Sequence, residues 1–135
     1  MDDPGMHGAL LQYPLRVLVV EDNHDALDLV CEMLRAFGHQ VQAAVHGEEA
    51  LLILSNTTLD VLFTDVSLPG ISGIELARGA LRNQPGLKII FASGHGDRLT
   101  RHLGFAAASL QKPYEFVQLE SILNAISRQL QTGAA

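Results

Sequence analysis

Residues 60–70 read Asp60-Val61-Leu62-Phe63-Thr64-Asp65-Val66-Ser67-Leu68-Pro69-Gly70, and this stretch decides the fold. Its first half is a short apolar run with β-branched and aromatic residues. Because a carboxylate precedes the run and a Pro/Gly-rich segment follows it, we predict a buried strand that ends on Asp65. Ligands of an open α/β sheet bind beyond the carboxyl ends of the strands, so Asp65 lies where chemistry is expected. Taken alone, this residue also fits a cap of a turn or of a helix.

The composition fits one globular domain. The chain has 135 residues, of which 47% are apolar and 18% are charged, which is enough for one core and argues against disorder. The net charge of −6, without a run of Lys or Arg, gives no support to nucleic-acid binding. The single cysteine, Cys31, lies among apolar helix positions, so we expect a core residue rather than a disulfide or a metal ligand. No apolar run reaches membrane-spanning length and no signal peptide is recognised, which favours a cytoplasmic protein without a membrane partner.

Five apolar strands alternate with helical segments. The strands are predicted over residues 16–20, 41–44, 61–65, 87–92 and 106–110. The helices are predicted over residues 25–37, 47–54, 74–81, 95–104 and 116–130, and the fourth is expected to be short because it is poor in apolar residues and follows glycine. Such alternation predicts right-handed crossovers and a parallel sheet between two helix layers. We therefore expect an α/β fold, a flavodoxin-like doubly wound five-stranded sheet of order 2-1-3-4-5 with five helices.

The ends of the chain are predicted to lie outside this domain. Residues 1–14 contain Pro4, Gly5, Gly8 and Pro14 without a clear period, which is typical of a flexible tail. We place the domain at residues 15–131 and a frayed end at residues 132–135. From the remaining length we expect no second domain for DNA binding or catalysis.

Polar side chains follow four of the predicted strands directly. Glu21 and Asp22 come after the first strand, Asp65 ends the third, Ser93 follows the fourth, and Lys112 follows the fifth. The first and third strands are neighbours at the switch point of such a sheet, so the acidic pair should face Asp65. At roughly 4 Å and an effective dielectric constant near 20, each pair of carboxylates repels by about 4 kcal/mol. A hard divalent cation removes that repulsion, and an all-oxygen ligand set favours Mg²⁺ over zinc or copper.

These motifs together resemble the receiver domain of two-component response regulators, and the resemblance covers about residues 15–130. The matching pieces are Val19-Val20-Glu21-Asp22-Asn23, Asp65-Val66-Ser67-Leu68-Pro69 with Gly73 beyond it, Phe91-Ala92-Ser93-Gly94, and Lys112-Pro113. Each residue taken separately also fits a helix cap or a surface position. Their joint order after successive strands is what makes the resemblance specific.

The resemblance implies a signalling function. It implies that Asp65 accepts a phosphoryl group from a histidine kinase or a histidine phosphotransfer protein, and that the aspartyl phosphate changes the conformation seen by a downstream partner. It further implies that Mg²⁺ is held by Glu21, Asp22, Asp65 and the backbone carbonyl of Ser67. Lys112 would contact the phosphoryl oxygens, Ser93 would move to bond one of them, and the Lys112–Pro113 peptide bond would be cis. Such a protein catalyses only its own phosphorylation and dephosphorylation.

One position departs from the family pattern, and two other functions stay open. Ser109 stands where family members usually carry an aromatic residue, which favours a signal route through backbone movement of residues 93–104. A degenerate receiver that binds proteins without phosphorylation is the first alternative, although the acid pair, acceptor, hydroxyl and lysine are intact. A phosphohydrolase with Asp65 as nucleophile is the second, although Ser67 stands where its general acid would be expected.

Overall fold

The computed structural model describes residues 14–94 and 103–132. Within them, five strands form one parallel sheet of order β2-β1-β3-β4-β5, which confirms the predicted topology. The strands are β1 (Arg16–Val20), β2 (Gln40–Ala44), β3 (Val61–Asp65), β4 (Lys88–Ser93) and β5 (Ala108–Gln111). The helices are α1 (His24–Ala36), α2 (Gly47–Asn56), α3 (Gly73–Asn83) and α4 (Phe116–Gln131).

The predicted element bounds differ from the structure mainly around β5. Pairing with β4 starts at Ala108 rather than at Ala106, so this strand begins at Ala108 and leaves Ala106 and Ala107 exposed. Most of the predicted helix over residues 95–104 falls on residues 95–102, which lie outside the described residues. The same holds for nearly all of the predicted tail and of the frayed end. Four helices are therefore present in the described part of the chain, and none of them is long and apolar enough to cross a lipid bilayer.

The sheet separates two hydrophobic clusters. Alternate residues of each strand point to opposite faces, so Val19 and Phe63 pack with α1 and α4, whereas Leu18 and Leu62 pack with α2 and α3. Asp65 continues the alternation of Val61 and Phe63. Its carboxylate therefore lies on the face that α1 and α4 cover, at the carboxyl edge of the sheet.

Helix α3 begins in direct contact with the end of β3. Ser72 caps the helix in a capping box with Glu75, and the Gly73 amide donates a 2.8 Å hydrogen bond to the Val66 carbonyl oxygen. A Cβ atom on Gly73 would overlap the Asp65 carbonyl oxygen and lie 2.8 Å from its carbonyl carbon. Glycine is thus the residue that allows α3 to start here, and this contact fixes the main chain of Asp65.

An ion pair joins β1 and β3 at the opposite edge of the sheet. The Arg16 guanidinium donates to both carboxylate oxygens of Asp60, at 3.3 Å and 3.1 Å, and the Arg16 amide donates to Asp60 Oδ2 at 2.8 Å. The sequence predicts only a strand boundary at Asp60. The Arg16–Asp60 contacts help to set the register of β1 against β3. This register determines how far Glu21 and Asp65 lie from each other along the strands.

Candidate functional site

Three carboxylates and one ammonium group meet at the carboxyl edge of the sheet. One oxygen each from Glu21, Asp22 and Asp65 lies within 4.8 Å of the others. The Lys112 Nζ atom lies 2.7 Å from Asp65 Oδ1 and 3.3 Å from Glu21 Oε1. The sheet brings these residues together because β1 and β3 are adjacent and because β5 delivers Lys112 to the same edge.

Asp65 is the buried member of the cluster, with only 6% of its surface exposed. Burial, with a smaller contribution from the Glu21 charge, outweighs the lowering effect of the hydrogen bond from Lys112, and the pKa of the Asp65 carboxyl is raised to about 7. The carboxyl therefore exchanges its proton near neutral pH when only these side chains surround it. A cation placed among the carboxylates favours the ionised form.

The surroundings lower the pKa of Glu21 and raise the pKa of Lys112, so both side chains are held in their charged forms. Burial works against the charged form of Glu21, but the hydrogen bond from the Asn23 amide, at 3.0 Å, and the Lys112 charge bring its pKa below the ordinary value. Burial likewise disfavours the charged Lys112, but the hydrogen bond to Asp65 and the two carboxylate charges raise the pKa of Lys112 above its usual range. Lys112 stays an ammonium group at physiological pH and holds the two carboxylates together.

The two predicted serine positions lie at the same edge. Ser93 ends β4, is 4% exposed, and accepts a 2.8 Å hydrogen bond from the Lys112 amide at its carbonyl oxygen. Asp65 pairs with Ala92 in the sheet, so Ser93 stands one residue beyond the phosphoacceptor candidate. Ser67 is exposed in the loop two residues after Asp65. The switching role of Ser93 and the metal-ligating role of the Ser67 carbonyl stay predictions.

A cavity of about 440 Å³ adjoins the cluster on the face covered by α1. Its polar edge is formed by Glu21, Asp65 and Lys112, and most of the remaining lining is apolar. Tyr114 closes one side and packs edge-on against Phe63, with ring centroids 5.8 Å apart. Burial, together with the nearby charges of Asp65 and Glu21, raises the pKa of Tyr114 to about 12. The Lys112–Pro113 peptide bond between the cluster and Tyr114 is cis, as the resemblance implies.

A model of the response regulator receiver domain matches residues 17–124. The chain belongs to the receiver domain family. Receiver domains are signalling modules rather than enzymes that act on a separate substrate. The match covers all five strands except the first residue of β1 and reaches into α4, so the family assignment rests on the whole sheet and not on one motif.

Curated and solved relatives agree with this assignment. The chain is 34% identical over 109 residues to the uncharacterized transcriptional regulatory protein YrkP of Bacillus subtilis, which covers 78% of this chain and 46% of YrkP. The receiver domain of the hybrid histidine kinase CckA is 32% identical with a TM-score of 0.72, over 83% of this chain and 98% of that one. The response regulator TrrA of Thermotoga maritima, solved in complex with Mg²⁺ and BeF, is 28% identical with a TM-score of 0.76, over 83% and 98%. The chain thus spans less than half the length of YrkP.

The position of the usual aromatic residue of receiver domains is solvent-exposed here. Ser109 pairs with Phe91 in the sheet and supplies no aromatic ring there. Phe105 lies against Phe91 instead, with ring centroids 6.3 Å apart, whereas Tyr114 lies on the other face of the sheet against Phe63. Residues 95–102 of the predicted signal route lie outside the described residues.

Two residues that shape the site, Gly73 and Tyr114, were not predicted from the sequence. Gly73 belongs to a motif quoted above, but the motif does not predict its contact with Asp65, and nothing in the sequence assigns Tyr114 to the site. A glycine eight residues after a strand-ending Asp, and directly after the Ser of a Ser-x-x-Glu capping box, is the sequence signal for the first. The cavity beside Tyr114 has no comparable signal, since it depends on how α1 packs.

Proposed function

We propose that this receiver domain is the phosphoacceptor of a cytoplasmic two-component system, and that Asp65 takes the phosphoryl group from a histidine kinase or a histidine phosphotransfer protein. The observation that carries the proposal is the setting of Asp65. It is a buried carboxylate 2.7 Å from the Lys112 ammonium, with carboxylate oxygens of Glu21 and Asp22 within 4.8 Å. Phosphoryl transfer requires mainly in-line positioning and charge neutralisation, and this cluster supplies groups for both.

The transfer itself is a displacement at phosphorus. An ionised oxygen of Asp65 forms the new P–O bond, and the P–N bond to the donor imidazole breaks. The electron pair of that bond returns to the imidazole nitrogen, which leaves as a neutral ring when its other nitrogen carries a proton. The product is an aspartyl phosphate, and hydrolysis by water regenerates the carboxylate. The domain thus acts as a catalyst only on itself.

Lys112 and Ser93 are placed to respond to the new group. A phosphoryl group adds a charge of about −1.5 to −2 and three acceptor oxygens beside the ammonium. Lys112, now shared between Asp65 and Glu21, donates to one of these oxygens, and the Ser93 hydroxyl donates to another. Both movements change the loops that follow β4 and β5, and a partner that binds only the changed surface reads the signal.

The donor set fits Mg²⁺. Glu21, Asp22 and Asp65 offer three carboxylates, the Ser67 carbonyl is the predicted fourth oxygen ligand, and the exposure of Asp22 leaves room for water ligands. Such an all-oxygen, partly open arrangement suits a hard cation that keeps part of its water shell. When bound, the ion supplies positive charge that offsets the charge of the transferring phosphoryl oxygens.

Labelling with acetyl phosphate tests the proposal. We expect intact-mass analysis to detect one phosphoryl adduct on the wild-type protein when acetyl phosphate and Mg²⁺ are both added. Asp65→Asn should abolish the adduct, and Asp28→Asn, an exposed carboxylate on α1, should retain it as the matched control. Equal labelling of Asp65→Asn and wild type would refute the assignment. A folded wild-type protein without any adduct would favour the phosphorylation-independent binding module.

A further inference from the structure

The β3–α3 loop, residues 66–72, carries the Ser67 carbonyl that is predicted to bind Mg²⁺. Hydrogen bonds hold its two ends. The Val66 amide donates to the Ala92 carbonyl oxygen at 3.0 Å, and the Gly73 amide donates to the Val66 carbonyl oxygen at 2.8 Å. Within the described part of the chain, no hydrogen bond is formed by residues 67–71. The position of the middle of the loop therefore depends on side-chain packing.

Ile71 rests on the first residue of α2. Its side chain is half-buried and packs, with Leu68, against the hydrophobic cluster that α2 and α3 cover. A Cβ atom on Gly47 would overlap Ile71 Cγ1 and lie 2.7 Å from Ile71 Cδ1. Gly47 has the ordinary helical conformation of α2, which other residue types also adopt. The space that Ile71 occupies, and not the backbone, is therefore what requires glycine at position 47.

The start of α2 is itself held firmly. The His46 Nδ1 atom accepts a 3.2 Å hydrogen bond from the Glu49 amide, and the Glu49 carboxylate accepts a 2.9 Å hydrogen bond from the Val45 amide. Glu48 places its carboxylate against the loop, 2.8 Å from the position that a Cβ atom on Gly70 would occupy. Two consecutive residues of α2 thus contact two consecutive residues of the loop.

The loop also borders an open cavity into which it can move. The cavity has a volume of about 570 Å³, and its lining includes Pro69 and Gly70 from the loop, His46 and Glu48 from the start of α2, and Asp22. A shift of the loop in this space changes its distance from Asp22, which belongs to the acidic cluster. The contact with α2 therefore bears on how the metal ligands are spaced.

We propose that Gly47 is a positioning residue for the metal site, because the room it leaves for Ile71 sets the place of the β3–α3 loop and of the Ser67 carbonyl. A methyl group at position 47 pushes Ile71 outward, and the middle of the loop moves with it. Mg²⁺ requires near-octahedral ligands at roughly 2.0–2.1 Å, so a displaced carbonyl is a poor ligand. The inference rests on the function proposed above.

Titration of the full chain with Mg²⁺ alone tests this role. Calorimetry and the ¹H–¹⁵N shifts of the Asp65 and Ser67 amides report binding, without a phosphodonor. We expect Gly47→Ala to raise the Kd of Mg²⁺ at least about fivefold in protein that circular dichroism shows to be folded. Gly79→Ala, whose new methyl group meets the flexible Leu51 side chain, should stay within about twofold of wild type. An unchanged Kd in folded Gly47→Ala overturns the proposal.

Removal of the Ile71 side chain separates this contact from a general loss of stability. Ile71→Ala deletes both side-chain atoms that a Cβ at position 47 would meet. In that background, Gly47→Ala should change the Kd by less than about twofold, because the overlap no longer exists. The same loss of affinity in both backgrounds would show that Ile71 does not transmit the effect, and it overturns the proposal.

Ile71→Ala alone decides the question if Gly47→Ala does not fold. It should raise the Kd of Mg²⁺ by about threefold, because the loop loses its support on α2. Ile53→Ala truncates another half-buried isoleucine that packs against the same cluster, and it should leave the Kd near that of wild type. Equal Kd values for the two isoleucine variants overturn the proposal.

These outcomes differ from a failure of the proposed function. Wild type that binds Mg²⁺ and is labelled at Asp65, without coupling between positions 47 and 71, overturns the positioning role alone. Wild type that does not bind Mg²⁺ refutes the metal site proposed above, and the role of Gly47 with it.

Discussion

Substitution of Gly73 by alanine is the sharpest test of how the fold holds Asp65. The added methyl group would overlap the Asp65 carbonyl oxygen, and it would lie 2.8 Å from the carbonyl carbon and 3.0 Å from the Val66 Cα atom. All three atoms belong to the main chain of β3 and the loop after it. No side chain can rotate away to relieve the overlap, so either α3 or the end of β3 must move.

The expected destabilisation follows from three contributions. Overpacking of this kind costs about 1–3 kcal/mol. Displacement of α3 also weakens the 2.8 Å hydrogen bond from the Gly73 amide to the Val66 carbonyl, which is worth about 1 kcal/mol. Alanine gains up to about 1 kcal/mol in helix propensity over glycine, and this offsets part of the loss. We expect Gly73→Ala to lower the free energy of unfolding by about 1–3 kcal/mol, and the melting temperature by roughly 4–12 °C.

Urea denaturation followed by circular dichroism measures this difference, and Gly79→Ala in the same helix is the control. A Cβ atom on Gly79 would meet the tip of the flexible Leu51 side chain at 3.2 Å, so the same gain in helix propensity comes with a contact that can relax. We expect Gly79→Ala to stay within about 1 kcal/mol of wild type. If Gly73→Ala proves as stable as Gly79→Ala, the close approach of α3 to Asp65 does not constrain the site.

Three further predictions concern single side chains. Lys112→Ala should leave Mg²⁺ affinity, measured by calorimetry, close to wild type but impair labelling at Asp65; a loss of affinity as large as in Asp22→Asn would contradict the separate role of Lys112. Burial lowers the pKa of His39, whose Nδ1 accepts the Leu15 amide at 3.1 Å. The stability that neutral His39 provides is therefore complete above about pH 6.5 and is lost as pH falls. Lowering the pH from 7.5 to 5 should thus reduce the free energy of unfolding of wild type more than that of His39→Asn, whose Oδ1 can accept the same hydrogen bond. Parallel curves of unfolding free energy against pH would exclude this role of His39. Gln84→Leu should lower the free energy of unfolding by about 2–3 kcal/mol in urea denaturation, because the Gln84 side chain makes three hydrogen bonds, each worth about 1 kcal/mol; a loss below about 0.5 kcal/mol would show that water replaces them.

The sheet and the acidic cluster were predictable because they depend on short-range patterns and on chain direction. The apolar run Val17–Val20 needs cover on both faces, and the strand predicted over residues 16–20 agrees with β1 to the residue. Once all strands run parallel, the residues after them must share one edge, whatever the loops do. Glu21, Asp65 and Lys112 could therefore be placed together before any distance was known.

The start of β5 and the cavity were not predictable for a different physical reason. Ala106 and Ala107 continue the apolar pattern of β5, but they are exposed because pairing with β4 begins only at Ala108. The cavity is lined by Ala26 and Val30 of α1 and by Phe63 of β3, so it depends on contacts between residues far apart in the chain. The spacing of apolar residues along the sequence shows neither where strand pairing begins nor where a cavity forms.

Asp65 is held in place by two independent contacts, and variants of the two contacting residues should behave differently. Its main chain is held by the approach of Gly73, whereas its carboxylate is held by the Lys112 ammonium. A change at Gly73 should therefore alter stability and labelling together, since both depend on the position of the strand end. A change at Lys112 should alter labelling with little loss of stability, because an ion pair whose lysine is 39% exposed contributes little to folding. A variant that loses both stability and labelling therefore identifies a residue that positions the phosphoacceptor. A variant that loses labelling but keeps its stability identifies a residue that contacts the phosphoryl group.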